Sequence, residues 1–566
     1  MTIDISVTIG GEAGQGIQTV GQLLSLVCRK AGLYLMAIND FESRIRGGHS
    51  FFQMRISDQP VWAPSHRTDL LIALNRETLE IHRHELTSRG LAIIGDKLDE
   101  KDDRTVLVSF LELARQAGGR LFSNTVAAGC SLALLGAPFE MIKTVFSDHF
   151  QDRGKEIMDK NLHAAELGYK EVSQVSFDGK FKWQHGQPKG ALIEGSKAIA
   201  LGALAGDCRV AAFYPMSPAT SIMRHLTLLS DQFPLVVEQA EDEIAAANMI
   251  IGAAFAGARS ITATSGGGFC LMTEALGLAG ITETPIVVVN AQRPGPATGL
   301  ATRTGQGDLQ FVIHAAQDEF PRFVFAPGTP AEAYDITARA FYLSEKYQVP
   351  VIILVDQYLM DSLFIEEKPF IAPDRIERFI VDDSTIEDPA HYKRYALCPS
   401  GISPRALPCR GKARVLVSGN EHREDGHTSE AIADRVSMVE KRHAKIKDMC
   451  AEMKLPEAYH GDGKILLIGW GSTKGAIRES VDLLRADGID AGCMTFADLW
   501  PFPANRFAAT IDSSKQIIVI EQNHTAQLAM LIRQQTGIAA SGTILKYDGR
   551  PIFPKDIVEG VLPYTR

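Results

Sequence analysis

Apolar positions along this chain fall into two recurring patterns: short continuous runs of strand length, and longer segments with helical spacing. The first cycle is a strand over Ile3–Ile9, a loop over Gly10–Gly16, a helix over Ile17–Ala31 and a strand over Tyr34–Ile38, which reads as a βαβ unit. Strands over Asp69–Leu74 and Leu91–Gly95 follow, then a short helix over Pro138–Phe146 with proline at a first helical position. The polar stretch Phe177–Gly190 reads as a linker. A second series then begins with a helix over Gly195–Ala205, a strand over Val210–Tyr214 and the β-rich run Leu235–Glu238. The segment Ile244–Ala258 carries no charge and nine alanine or glycine residues, which predicts a buried helix headed by the acids Glu238, Glu241, Asp242 and Glu243. A strand over Ser260–Thr264 leads into a glycine-rich loop, Ser265–Gly268. The fully buried-looking strand Pro285–Asn290, a helix over Pro330–Lys346 and a strand over Pro350–Asp356 complete this layer. The third series has an apolar run at Ala413–Ser418 and a charged amphipathic helix over Ala431–Met453. A strand over Lys464–Ile468, a helix over Lys474–Asp487 and a strand over Gln516–Glu521 follow it. The alternation predicts an α/β protein of three α/β domains, at residues 1–185, 190–385 and 405–566.

Composition narrows the class. The 566 residues are 45% hydrophobic and carry a net charge of −10, which suits several globular cores and argues against a nucleic-acid backbone or an anionic membrane as partner. The longest uncharged run, Leu121–Phe139, is broken by Ser123, Asn124, Gly129, Gly136 and Pro138, so no membrane span is expected. The start MTIDISVTIGG has no basic region, so a cytoplasmic location is expected. Eight scattered cysteines include no CxxC pair, which disfavours a zinc ribbon, a redox dithiol or a locally ligated iron–sulfur cluster. His422, His427 and the acids around them could hold a metal; without a third ligand at helical spacing a polar loop is preferred, and no metal site is expected.

Four stretches carry candidate chemistry. The loop Gly10-Gly11-Glu12-Ala13-Gly14-Gln15-Gly16 opens a helix and could cradle phosphate, although it does not spell GxGxxG. Asp40 stands about where a ribose-binding acid would, which keeps a nicotinamide dehydrogenase open as an alternative. Arg44, Arg46 and His49 around Gly47-Gly48 form a cationic loop suited to anion capture. Pro215-Met216-Ser217-Pro218-Ala219-Thr220 is a rigid turn that can aim a hydroxyl into a cleft, and Arg293 follows a core strand and precedes Pro294-Gly295-Pro296 as a fixed cation. Arg303 is a further cation in the following loop. Finally, Glu243 and the glycines after Thr264 lie on the same edge of a parallel sheet, where α/β proteins bind ligands.

In order and spacing, EDEIAAANM, QRPGPATG and YPMSPAT, with GGEAGQG and ESRIRGGHS before them, resemble the fused γ–α subunits of the 2-oxoacid:ferredoxin oxidoreductases. Within that family the chain looks most like the α subunits acting on 2-oxoglutarate. The resemblance implies a γ-type domain, a thiamine diphosphate pyrimidine-binding domain and a transketolase-C-like domain with a preceding mobile segment. It implies reversible oxidative decarboxylation of 2-oxoglutarate with coenzyme A to succinyl-CoA, carbon dioxide and reduced ferredoxin. Glu243 matches the carboxylate that hydrogen-bonds N1′ of the aminopyrimidine, with Pro215, Met216, Ser265, Gly266 and Gly267 also on the cofactor. Ser217 and Arg293 match the residues that hold the oxoacid, and Arg46, Arg44 and His49 are candidates for a distal carboxylate, with Arg303 in reserve. Met216-Ser217 stands where the family has Ile-Thr, and Gly267 where related thiamine enzymes carry proline. Gly461-Asp462-Gly463 has no Asn-Asn following it and reads as a turn. The diphosphate, Mg²⁺ and a [4Fe–4S] cluster are therefore expected on a separate β subunit, in an assembly of two αβ pairs. The alternatives are the same reaction on pyruvate, branched-chain or aryl 2-oxoacids, or a non-catalytic scaffold subunit.

Overall fold

A computed structural model describes residues 3–42, 47–95, 103–181, 183, 186–386 and 388–565, and it contains two compact units. Arg44 and Arg46 lie outside the described residues.

The first unit comprises Met1–Glu194, Ser362–Pro369 and Phe553–Lys555. Its eight-stranded sheet runs in the order Thr105–Leu107, Leu86–Ile94, Thr68–Ala73, Asp4–Ala13, Gly47–Ser57, Tyr34–Asp40, Leu363–Glu366, Ala191–Glu194. The helix Ile17–Lys30 packs through Val20, Leu23, Leu24 and Val27, the spacing of one helical face. This sheet corrects the βαβ reading. The strand Gly47–Ser57 lies between the first two strands and pairs antiparallel with both. The first strand also runs on through Gly10 and Gly11 to Ala13. Only the last part of the expected glycine loop is a turn, where Gly14 and Gly16 take positive φ, the left-handed region glycine enters at little cost. The uncharged run at 121–139 contains a buried helix, Ser123–Leu135, and among the described residues no helix is long and apolar enough to cross a membrane. In the stretch read as a linker, Phe177 is buried and Trp183 donates from Nε1 to the Leu135 carbonyl at 2.8 Å.

The second unit comprises Gly195–Asp361, Phe370–Ile552 and Asp556–Arg566 and holds two sheets. The seven-stranded sheet has the order Asp498–Trp500, Phe323–Phe325, Val351–Asp356, Val287–Gln292, Arg259–Thr264, Cys208–Phe213, Val236–Gln239. All of it is parallel except the edge strand Asp498–Trp500. The five-stranded sheet has the order Glu457–Tyr459, Ala491–Phe496, Ile465–Trp470, Gln516–Glu521, Gly542–Leu545. The three sheets are the α/β architecture that the alternating pattern predicts. Strands buried on both faces, such as Val287–Gln292 and Val351–Asp356, are the continuous apolar runs of the sequence.

A loop side chain and one at the carboxyl end of a strand tie these two sheets together. Gln306 donates from Nε2 to the Trp470 carbonyl at 2.8 Å and accepts the Gln522 N–H at 3.0 Å. Asp356, 2% exposed at the end of its strand, accepts from the Ser472 hydroxyl and from the Leu359 N–H at 3.0 Å. Burial pushes the Asp356 carboxyl up to about 6 against the pull of those hydrogen bonds.

Ala413–Ser418 forms no strand, and the polar segment after it makes only an isolated bridge, His422 to Thr428. His422 is buried against the Tyr395 ring, and its Nδ1 meets the Asn420 carbonyl at 3.1 Å. The expected charged amphipathic helix spans Ile432–Glu452 and sends two lysines inward. Lys441 and Lys445 meet the fully buried Glu283 at 2.6 and 2.5 Å, and their charges hold that carboxyl well below its usual range in spite of burial.

Candidate functional site

The site is built around the start of the helix Glu243–Phe255. Asp242 caps it, accepting the Ala245 N–H at 2.7 Å, which leaves Glu243 as the acid of the first turn. Glu243, Ala246, Ala247, Ile250, Ile251 and Ala254 are buried, one face at helical spacing. Ile244 is 49% and Met249 40% exposed, so the helix is not buried all round as expected. Nor do the four acids share its first turn. Glu238 lies on the edge strand Val236–Gln239, and Glu241 is exposed ahead of the cap. Of the four, Glu243 alone is buried, 3% exposed, and its Oε1 has no hydrogen-bond partner among the described residues.

What stands against that carboxylate is backbone. The stretch Gly266–Leu271 is a short helix with Ser265 extended ahead of it, so the expected glycine loop is a first helical turn. A Cβ on Gly268 would lie 2.6 Å from Glu243 Oε1, closer than a side chain can come. Gly267, in contrast, is bare; the nearest atom to a Cβ there is the Ala297 carbonyl oxygen at 3.9 Å.

The turn after Cys208–Phe213 forms a second wall. The Ser265 hydroxyl donates to Met216 Sδ at 2.7 Å, which joins two segments 49 residues apart. Pro215 and Ser217 are exposed, and Met216 is partly buried. Arg293, just past the end of Val287–Gln292, donates from Nη1 to the Ser217 carbonyl at 2.8 Å. Its Nε is buried without a partner, and burial pulls the guanidinium below its ordinary value. Glu243, Pro215, Met216, Ser217, Ser265, Gly266, Gly267 and Arg293 thus all lie at carboxyl ends of one parallel sheet.

Sequence reasoning passed over Asn290 and Asp308. Asn290 Nδ2 donates to Asp308 Oδ2 at 3.1 Å, and Gln292 Oε1 accepts the Asp308 N–H at 3.1 Å. Burial raises the Asp308 carboxyl while the Asn290 bond opposes it. A Cβ on Gly266 would run into Asp308, so this carboxyl packs under the glycine turn. The available signal was the pair of amides at 290 and 292 in an otherwise apolar strand, two residues apart and so on one face.

His49 lies in the first unit, on the strand Gly47–Ser57 and opposite Glu12, not in a loop. The dinucleotide reading loses its geometry there. A ribose-binding acid belongs on the strand next to the glycine turn. Asp40 is on a strand separated from it by Gly47–Ser57, roughly 10 Å across the sheet at ordinary spacing. Arg303 follows the Pro294–Gly299 segment and donates its N–H to the Leu300 carbonyl at 3.1 Å.

Three protein-family models match the chain: "Pyruvate ferredoxin/flavodoxin oxidoreductase" over residues 6–171, "Pyruvate flavodoxin/ferredoxin oxidoreductase, thiamine diP-bdg" over 201–441, and "Pyruvate:ferredoxin oxidoreductase core domain II" over 463–557. A 2-oxoacid:ferredoxin oxidoreductase subunit alpha from Sulfolobus sp. is 31% identical, over 99% of this chain and 96% of its own length. The 2-oxoglutarate synthase subunit KorA of Methanothermobacter thermautotrophicus is 31% identical over 66% of this chain and 98% of its own. Among solved structures, the 2-oxoglutarate:ferredoxin oxidoreductase from Magnetococcus marinus with 2-oxoglutarate, coenzyme A and succinyl-CoA bound superposes with a TM-score of 0.91 at 30% identity, covering 100% of both chains.

Proposed function

The chain belongs to the 2-oxoacid:ferredoxin oxidoreductases, and from that premise we propose that it is the α-type catalytic subunit for oxidation of 2-oxoglutarate with coenzyme A to succinyl-CoA and carbon dioxide, passing two electrons to ferredoxin. The observation that carries the reading is the buried Glu243 carboxylate, one oxygen of which has no partner among the described residues.

These residues fit the aminopyrimidine of thiamine diphosphate. Glu243 Oε1 lacks a donor, and the bare backbone at Gly267 leaves room for a flat ring. When bound, the cofactor supplies the nucleophilic carbon for attack on the 2-oxo group and a sink for the electrons released with carbon dioxide. Glu243 accepts the hydrogen bond of a protonated ring nitrogen, a charge-assisted bond of about 1.5–3 kcal/mol. Ser265, Gly266 and Gly267, with Pro215 and Met216, shape the walls around that ring. Arg293 and Ser217 hold the carboxylate and keto oxygen common to all 2-oxoacids, with Arg293 already aimed by the Ser217 carbonyl. The second carboxylate of 2-oxoglutarate needs a cation of its own, for which Arg44, Arg46 and His49 are the candidates, with Arg303 in reserve.

A β subunit completes the enzyme with the diphosphate and Mg²⁺ site and a [4Fe–4S] cluster, in an assembly of two αβ pairs. The apolar residues Val236, Ile244, Met249 and Leu271, exposed on the Glu243 helix and on the elements before and after it, support a partner chain that covers them. The preference for 2-oxoglutarate is supported by the names of KorA relatives and of the Magnetococcus marinus structure. The test is copurification with the β subunit, followed by a 2-oxoacid panel with coenzyme A and a viologen acceptor. We expect the highest kcat/KM on 2-oxoglutarate; faster turnover of pyruvate, branched-chain or aryl 2-oxoacids would reassign the substrate.

A further inference from the structure

The first unit contains a hydrogen-bonded chain of three ionisable side chains, of which the proposed reaction uses only His49, as a candidate for the distal carboxylate. His49 Nε2 lies 2.8 Å from His82 Nε2, and His82 Nδ1 lies 2.8 Å from Glu85 Oε2. His82 ends the helix Arg76–His82, which Asn75 caps by accepting the Thr78 N–H at 3.0 Å. Glu85 closes the next turn, so its three-residue spacing brings it back onto the ring. His82 is 2% exposed, with the Phe51 ring edge-on to it at 4.8 Å and stacked on His49 at 5.9 Å. On the neighbouring strand Gly10 leaves room for Thr78 and the His49 ring; a Cβ there would lie 2.5 Å from Thr78 Cγ2 and 3.2 Å from His49 Cε1.

Two imidazole nitrogens at hydrogen-bond distance share one proton. Glu85 fixes the His82 proton on Nδ1, so His82 Nε2 accepts and His49 Nε2 donates. That leaves His49 Nδ1 as an acceptor in the neutral pair, and this atom is buried with no partner among the described residues. One added proton turns Nδ1 into a donor, with the positive charge spread along the chain toward Glu85. The charged groups facing His49 come from several elements: His82, Glu85, Asp40 at the end of its strand, Glu42 beyond it, and Glu12 across the ladder. Burial, first, and His82 lower the proton affinity of His49 and outweigh Asp40, Glu42 and Glu85, which raise it, so the net shift is downward and the protonated form depends on those acids.

We propose that Glu85, acting through His82, loads a proton onto His49, so that His49 Nδ1 donates to an anionic group of a substrate and binding becomes pH-dependent. Glu85 and His82 are then positioning residues. The inference rests on the proposed reaction, whose substrates offer two such groups: the distal carboxylate of 2-oxoglutarate and the phosphates of coenzyme A.

Two measurements test it. In the complex with the β subunit, Glu85→Gln is expected to raise one KM about tenfold at pH 7.5 with kcat unchanged, the gap closing toward pH 6 as both enzymes take up the proton. A response in the KM for 2-oxoglutarate, with 2-oxobutyrate unmoved, identifies the carboxylate; a response in the KM for coenzyme A identifies phosphate. No pH-dependent change in either KM, or an equal loss of kcat on every substrate, overturns the assignment. In the full chain alone, labelled at histidine ¹³Cε1 and assigned by the signal lost in His49→Asn, the His49 titration midpoint should fall by about one pH unit in Glu85→Gln. An unchanged midpoint overturns the relay whatever the kinetics show. A wild-type complex inert toward every 2-oxoacid would instead refute the proposed reaction, with the titration still deciding the relay.

Discussion

Gly268 and Glu243 are in such close register that a Cβ on the glycine would lie 2.6 Å from the carboxylate Oε1. A helix backbone therefore serves as the stop against which the buried acid rests. A Cβ on Gly268 would also run into Thr264 Oγ1, so Gly268→Ala should push Thr264, Glu243 or the Gly266–Leu271 helix out of place, cutting acyl-CoA formation by at least about 100-fold. The overpacking cost should be only about 1–3 kcal/mol. Thermal unfolding and turnover measured on one preparation separate the two effects. Full activity in this variant would show that the position of the carboxylate is not set by this contact.

Glu243→Gln tests the carboxylate itself. The amide keeps the shape, so the complex should assemble, but it cannot carry the charge that favours a protonated ring nitrogen. Acyl-CoA formation should fall by at least about 100-fold. Because a buried carboxylate oxygen without a donor is costly, the free chain should unfold no earlier than wild type. Retained turnover would refute the assignment of Glu243.

Arg293→Lys separates a fork from a point charge. Arg293 uses Nη1 on the Ser217 carbonyl and has Nε left over. A lysine head group cannot reproduce both directions. KM should rise about tenfold or more for every 2-oxoacid in the panel, because the group addressed is the carboxylate they share. An effect confined to 2-oxoglutarate would place Arg293 on the distal carboxylate instead.

The legible parts of the sequence were those whose local pattern and tertiary role agree. The buried parallel strands are continuous apolar runs, and the capped acid-headed helix has its signals within four residues, Asp242 to Ala245. What escaped depends on partners distant in the chain. Gly47–Ser57 reads as a loop because its glycines and arginine-rich approach dominate the local pattern, and only pairing on both sides makes it a central strand. Gly266, Gly267 and Gly268 carry no side-chain preference, so their helical turn is imposed by what packs on them, Asp308 and Glu243. Lys441 and Lys445 look like a solvated face until Glu283, 158 and 162 residues away, is brought against them. The His49–His82–Glu85 chain was half visible: His49 stands out beside its glycines, but His82 lies in an ordinary amphipathic stretch 33 residues on.

Asp356 gives a pH test of the join between the two sheets of the second unit. Its carboxyl is buried, accepts from Ser472 and the Leu359 N–H, and is pushed up to about 6. An unfolded aspartate titrates near 3.9. Between about pH 4 and 6 the native chain therefore holds a proton that the unfolded chain has released. The stability this provides is complete below about pH 4 and is lost as pH rises through 6. Asp356→Asn removes the titration and keeps an oxygen for the same donors. Its unfolding free energy relative to wild type should rise by about 2–3 kcal/mol between pH 4 and pH 7, measured as paired denaturant midpoints of the free chain. A difference that stays constant across that range would mean Asp356 remains ionised in the native chain, held by the Ser472 and Leu359 bonds against its burial.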